Sequence, residues 1–278
     1  MKMRVDRIEG YIIALSPIHS SGDEKTGSET LLRRLNYIVD GKRVEIPVLS
    51  GNAIRGVLRR ELMADMLMQL DYKLTNTKIY HMLFSGGMLE TVDEKSTGVI
   101  DIELKRKIRR TIPPIAVLGS SLGNQIFEGK LKVNMALPIC KELKDFLPED
   151  IQIKPQTSVY EFLDWTFTTR RDELHEERKE DEQATQMMVN FEVFAPGTPF
   201  YHEFILNDAT EVERAVLVRM LNLWQHKPYI GGKSAIGLGK LKLNYDYNRE
   251  DEKPYMDFLS KNKDKMTALL KELEEKFK

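Results

Sequence analysis

Hydrophobic and polar positions along this chain switch between a period of two and a period near 3.6, and the switches divide it into elements. Residues 5–15 (VDRIEGYIIAL) alternate loosely and predict a first strand. The following SPIHSSGDEKTGSE is Ser, Gly and charge, and predicts a polar loop. Apolar runs at 35–39 and 44–49 flank Asp40-Gly41, a strong tight-turn signal, and predict a hairpin. From 52 to about 70 the period becomes helical. Ile54, Val57, Leu58 and Leu62 share one face, Ser50 is a good N-cap, and Arg55 and Arg59 lie one turn apart on another face.

Beyond residue 70 the pattern is mixed. Apolar residues recur at helical spacing up to Gly86-Gly87, a charged run follows, and Pro113-Pro114 closes what reads as an inserted subdomain outside the main sheet. IAVLGSSLGNQIFEGKLKVNMALPI then predicts a small-residue loop and a strand with Leu131, Val133 and Met135 inward. Residues 170–182 hold eleven charges in thirteen positions and predict a projecting hairpin or mobile arm. Two strands joined through Ala195-Pro196-Gly197, a buried helix from about 210 to 225, a glycine-rich segment (IGGKSAIGLGKLKLNYDY) and an amphipathic C-terminal helix complete the chain.

Composition narrows the classes. With 278 residues and 41% hydrophobic content the chain can bury a core in one elaborated domain or two. No apolar run approaches membrane-spanning length and MKMRVDRIEG has no signal-peptide core, so a cytoplasmic protein without membrane association is expected. A single cysteine, Cys140, excludes an internal disulfide and a thiolate zinc cluster. The histidines, His19, His81, His175, His202 and His226, lack ligand spacing, so neither metal nor cofactor is expected.

Charge changes the picture more. The net value of −1 argues against indiscriminate coating of nucleic acid, yet cations concentrate locally. Residues 31–60 carry Arg33, Arg34, Lys42, Arg43, Arg55, Arg59 and Arg60 against Asp40 and Glu45, and KRKIRR at 105–110 adds Arg109 and Arg110. A basic track on a neutral body suggests a defined binding groove, and a strand running into a capped helix N-terminus suggests attraction for phosphate. Gly232-Lys233-Ser234 is not a nucleotide-binding loop, because the spacing fails and the loop leads from helix to strand. It remains a flexible turn able to approach another chain or a phosphate.

The segments IPVLSGNAIRGVLRREL, PPIAVLGSSLGNQIFEGKLKV, and FAPGTPFYHEFIL followed by GGKSAIGLGKLKL strongly resemble the RAMP superfamily of CRISPR-associated proteins, more narrowly the multi-copy backbone subunit of a Cascade-like effector complex. The resemblance runs in order from Met3 to about Tyr245. It implies an α+β fold in a single domain of residues 1–278: a modified ferredoxin-like (RRM-like) palm, an inserted finger subdomain at about 71–112, a projecting thumb arm at about 157–190, and a C-terminal helix at 255–278. It also implies stacking of copies into a helical filament along guide RNA, which pairs with target DNA or RNA beside other effector subunits. Carried over by position, Ser50, Asn52, Arg55 and Arg59 would touch RNA phosphates, Arg170 and Arg171 would belong to the thumb, and Gly232 and Lys233 would lie by the RNA backbone. The basic stretches add Arg33, Arg34, Arg109 and Arg110 to the expected RNA-binding set.

Catalysis is the alternative. A RAMP-type endoribonuclease would process guides through His19 as general base, or cut target RNA through an acid such as Asp23. The position where cleaving relatives carry an aspartate falls near 32–34, where this chain has cations, so a non-enzymatic role is expected. A protein binding a small phosphorylated molecule at the Ser50 helix is a further alternative.

Overall fold

The computed structural model describes residues 4–26, 29–87, 101–123, 125–149, 151, 156–170 and 187–277. The central strand is β1 (Val5–Ala14), paired along both edges. It is followed in the chain by β2 (Ser21–Thr26), β3 (Glu29–Leu32), β4 (Arg34–Val39), β5 (Lys42–Pro47), α1 (Gly51–Leu70), α2 (Thr77–Phe84), α3 (Ile102–Thr111), α4 (Pro113–Leu118), β6 (Ser120–Leu122) and β7 (Gln125–Phe127). Then come β8 (Leu131–Val133), β9 (Leu137–Pro138), β10 (Leu163–Arg170), β11 (Met187–Phe194), β12 (Pro199–Asn207), α5 (Glu211–His226), β13 (Leu241–Tyr245) and α6 (Lys253–Lys276).

The main sheet has the order β13-β1-β12-β8, with β9 also on β12, and its pairings are antiparallel. Taken along the chain, β1, α1, β8, β12, α5 and β13 give a βαββαβ path whose first and third strands lie side by side, the ferredoxin-like palm that the resemblance implied. Strict alternation on β12 turns Phe200, His202, Phe204 and Leu206 inward, where they meet Ile54, Leu58 and Leu62 of α1 and Val216, Met220 and Trp224 of α5 in one core. His202 is a core residue. Its Nδ1 is 2.8 Å from the Tyr245 hydroxyl and its Nε2 3.0 Å from the Asn134 carbonyl, and burial lowers its pKa to about 4, so the ring is neutral.

The Asp40-Gly41 hairpin is present as expected. Both residues have positive φ (48° and 75°), as a two-residue turn between twisted strands requires. One expectation fails. The polar stretch after β1 is not all loop, because it forms β2 and leads into β3, which extend a sheet of order β10-β11-β3-β2. These strands are held by backbone pairing and have no apolar alternation to reveal them. Pro113-Pro114 follows the end of α3 at Thr111 and occupies the first positions of α4, where a missing N–H costs nothing. Arms β10 and β11 pair antiparallel from Leu163↔Phe194 to Arg170↔Met187. The charged tip of the thumb arm at 171–186 and the middle of the insert at 88–100 lie outside the described residues. Among the described residues no helix is long and apolar enough to cross a membrane.

The helical layer is tied by a buried ion pair. Arg219 of α5 forks onto Asp65 of α1 (2.6 and 3.0 Å), and a second contact reaches Glu252 at 3.2 Å. Asp65→Ala would leave that guanidinium facing apolar surroundings with one partner. We expect a loss of about 3 kcal/mol in urea unfolding, and a loss below about 1 kcal/mol would show that the pair does not anchor α1 to α5.

Candidate nucleic-acid interface

The entry to α1 is fixed by packing before any charge is considered. Leu49 exchanges backbone hydrogen bonds with Ala136 (3.2 and 3.0 Å), and Ser50 caps the helix by accepting from the Asn52 amide at 3.2 Å. A Cβ on Gly51 would stand 2.3 Å from the Val133 carbonyl oxygen and 2.8 Å from that of Asn134, so only glycine fits between helix and strand. Ser50 and Gly51 are buried as a result. This corrects the expectation of a phosphate seat at the helix start: that end abuts β8, the Ser50 hydroxyl is engaged in the cap, and Asn52 is the first exposed residue.

Arg55 and Arg59 of this helix also differ from the simple picture of a solvated basic face. Arg59 is 5% exposed, and its guanidinium donates to the carbonyls of Leu118 (3.1 Å), Gly119 (2.8 Å) and Leu83 (3.4 Å). Half-buried Arg55 donates to the Leu118 carbonyl as well, and to that of Leu131 at 3.3 Å. Neither has a carboxylate partner among the described residues. Burial, with the neighbouring Arg55, lowers the Arg59 pKa to about 10, and burial lowers that of Arg55; both stay charged at pH 7. The acceptors at Leu118 and Gly119 are the negative end of α4, which offsets part of the cost of two uncompensated cations.

These groups line a cleft of about 850 Å³ between α1, the end of α2, and the 118–121 and 126–129 segments. Arg55, Arg59 and Arg60 supply three cations to it and Glu128 one carboxylate, so the cleft is net positive. Exposed Arg60 and the aromatic residues Tyr80 and Phe84 were not singled out by sequence reasoning as binding residues. The signal was there in their spacing, Tyr80 and Phe84 at i and i+4 and Arg60 one residue beyond Arg59.

The other expected residues do not converge on this cleft. Arg34 is bound to buried Glu192, whose second oxygen accepts from the Leu32 amide at 3.0 Å, so its charge is neutralised locally. Half-buried Arg33 donates its amide to Ser20 and receives that of Val48. Arg109 and Arg110 lie on α3 beside a second cleft of about 520 Å³ that also involves Arg106, Lys130, Glu213 and Phe258. The expected continuous basic track is therefore two separate basic clefts. Gly232 is exposed with its amide on the His19 carbonyl (3.3 Å), while Lys233 sits 4.3 Å from the Phe191 ring centroid and 3.3 Å from the Thr168 hydroxyl. That loop fastens onto the base of the β10–β11 hairpin. Arg170 ends β10, and Arg171 lies outside the described residues.

The residues of the catalytic alternatives lie apart from the cleft of Arg55 and Arg59. His19 is buried, with Nδ1 2.8 Å from the Glu192 carbonyl and its ring edge-on to Phe191, an arrangement that holds the ring in place. Asp23 falls in β2 where the register to β3 shifts.

Comparison with known proteins agrees with the topology. A chain of a solved structure titled "Type IV-B CRISPR Complex" superposes with a TM-score of 0.59 at 22% identity, covering 87% of this chain and 91% of that one. A search of curated protein sequences finds no match. The family model of the RAMP superfamily matches residues 11–242, which takes in the end of β1, the SGNAIRG helix entry and the glycine loop, and the chain therefore belongs to the RAMP superfamily.

Proposed function

We propose that this chain is a guide-RNA-binding backbone subunit of a CRISPR effector complex, which polymerises along the RNA and presents it for pairing with target DNA or RNA. The observation that carries the reading is the pair of half-buried Arg55 and buried Arg59, without a carboxylate partner among the described residues, in the wall of a net-positive cleft. Phosphate is the counter-ion that such a site lacks. Membership of the RAMP superfamily and the likeness to a chain of a CRISPR complex support the same assignment. A subunit that repeats along a guide must hold any sequence, so it grips phosphate and sugar and leaves base edges free for pairing. Further copies of itself and other effector subunits are the protein partners of this reading. This reading assigns no side chain a catalytic role.

The arginines divide the work, and this division is testable. Arg60→Ala, at an exposed position, should leave the fold intact, weaken binding of all RNA sequences alike, and flatten the salt dependence by about 0.7 in slope. Arg59→Ala removes the donor shared by three carbonyls and should cost about 3 kcal/mol of stability in addition. Equal salt slopes for wild type and Arg60→Ala in filter binding would remove the cleft from the interface. The backbone role has its own measurement. Native mass spectrometry on guides of several lengths should show complex mass rising in steps of one subunit, and a single stoichiometry for every guide would exclude a filament.

A further inference from the structure

The cleft that holds the arginines has a second chemical character. Tyr80 and Phe84 of α2 are stacked in its wall, with ring centroids 4.7 Å apart and planes inclined by 18°. Tyr80 is 48% exposed, meets His81 edge-on at 5.8 Å, and lines the cleft together with three guanidinium groups. A phosphate alone needs neither 850 Å³ nor an aromatic wall. The combination suits one nucleotide unit whose phosphate meets Arg55 and Arg60 while its base continues the stack begun by Phe84 and Tyr80.

We infer that the cleft is a nucleotide subsite in which Tyr80 is the stacking platform for a base of the bound strand, an inference that rests on the RNA-binding reading. Stacking accepts every base through its π-face, which keeps the subsite compatible with a guide of arbitrary sequence. One carboxylate, Glu128, shares the cleft with the three arginines, leaving a charge suited to one or two phosphates of a chain rather than to a polyphosphate.

The test uses the full-length protein, fluorescence anisotropy, and two labelled oligomers of equal length, oligouridine and an abasic ribose-phosphate chain. Tyr80→Leu should weaken oligouridine binding about tenfold, and Tyr80→Phe should hold it within about twofold of wild type, because the ring is retained. Neither substitution should alter binding of the abasic chain or the salt slope, which the cations set. The inference is overturned if Tyr80→Leu binds oligouridine like the wild type, or loses equally on both oligomers. Its failure is separable from that of the RNA-binding reading. If wild type binds both oligomers, Arg60→Ala weakens both and Tyr80→Leu neither, only the stacking platform fails; if wild type binds neither, both proposals fail.

Discussion

The fold around the cleft depends on two guanidinium groups of α1 reaching carbonyl oxygens at the ends of other elements. Arg55 and Arg59 together touch Leu83 at the end of α2, Leu118 and Gly119 at the end of α4, and Leu131 at the start of β8. Three segments distant in sequence are thereby held against one helix. The same contacts strip water from the cations and leave them without a carboxylate partner among the described residues, so the feature that organises the local structure also creates its affinity for an anion. Gly51 makes this geometry possible, since a side chain there would push α1 off the Val133 carbonyl and displace both arginines.

Much of the fold was legible because its strongest signals are local. The period of two on β1 and β12, the period of 3.6 on α1, α5 and α6, Ser50 as a cap, and Asp40-Gly41 as a turn all act within a few residues. Strands β2 and β3 were not legible, because β3 forms by backbone pairing with β11 and β2 by pairing with β3, and neither sequence alternates polar with apolar residues. Pro113-Pro114 stands between two helices, after the end of α3 and at the start of α4, where Ile115 and Leu118 pack into the core.

The candidate site shows the same division. Sequence located Arg55 and Arg59 by spacing but could not tell a solvated basic face from a buried pair, since burial depends on α2 and on the loop after α4. It also read local charge density as one track, whereas folding pairs Arg34 with Glu192 and sends Arg109 and Arg110 to another cleft. A near-neutral protein can carry such a site because cations elsewhere are offset where they stand, as at Asp65 with Arg219 and Glu213 with Lys130. The positive potential is then concentrated where partners are missing.

Labelling of arginine side chains by a dicarbonyl reagent, read by mass spectrometry with and without single-stranded RNA, addresses the central claim most directly. Arg60 is exposed in the cleft wall, while Arg4 and Arg7 are exposed beside carboxylates on β1 and the residue before it. The account predicts that RNA protects Arg60, and Arg55 to the extent that it reacts, while Arg4 and Arg7 label as before. Equal labelling of Arg60 in the presence of saturating RNA would contradict it.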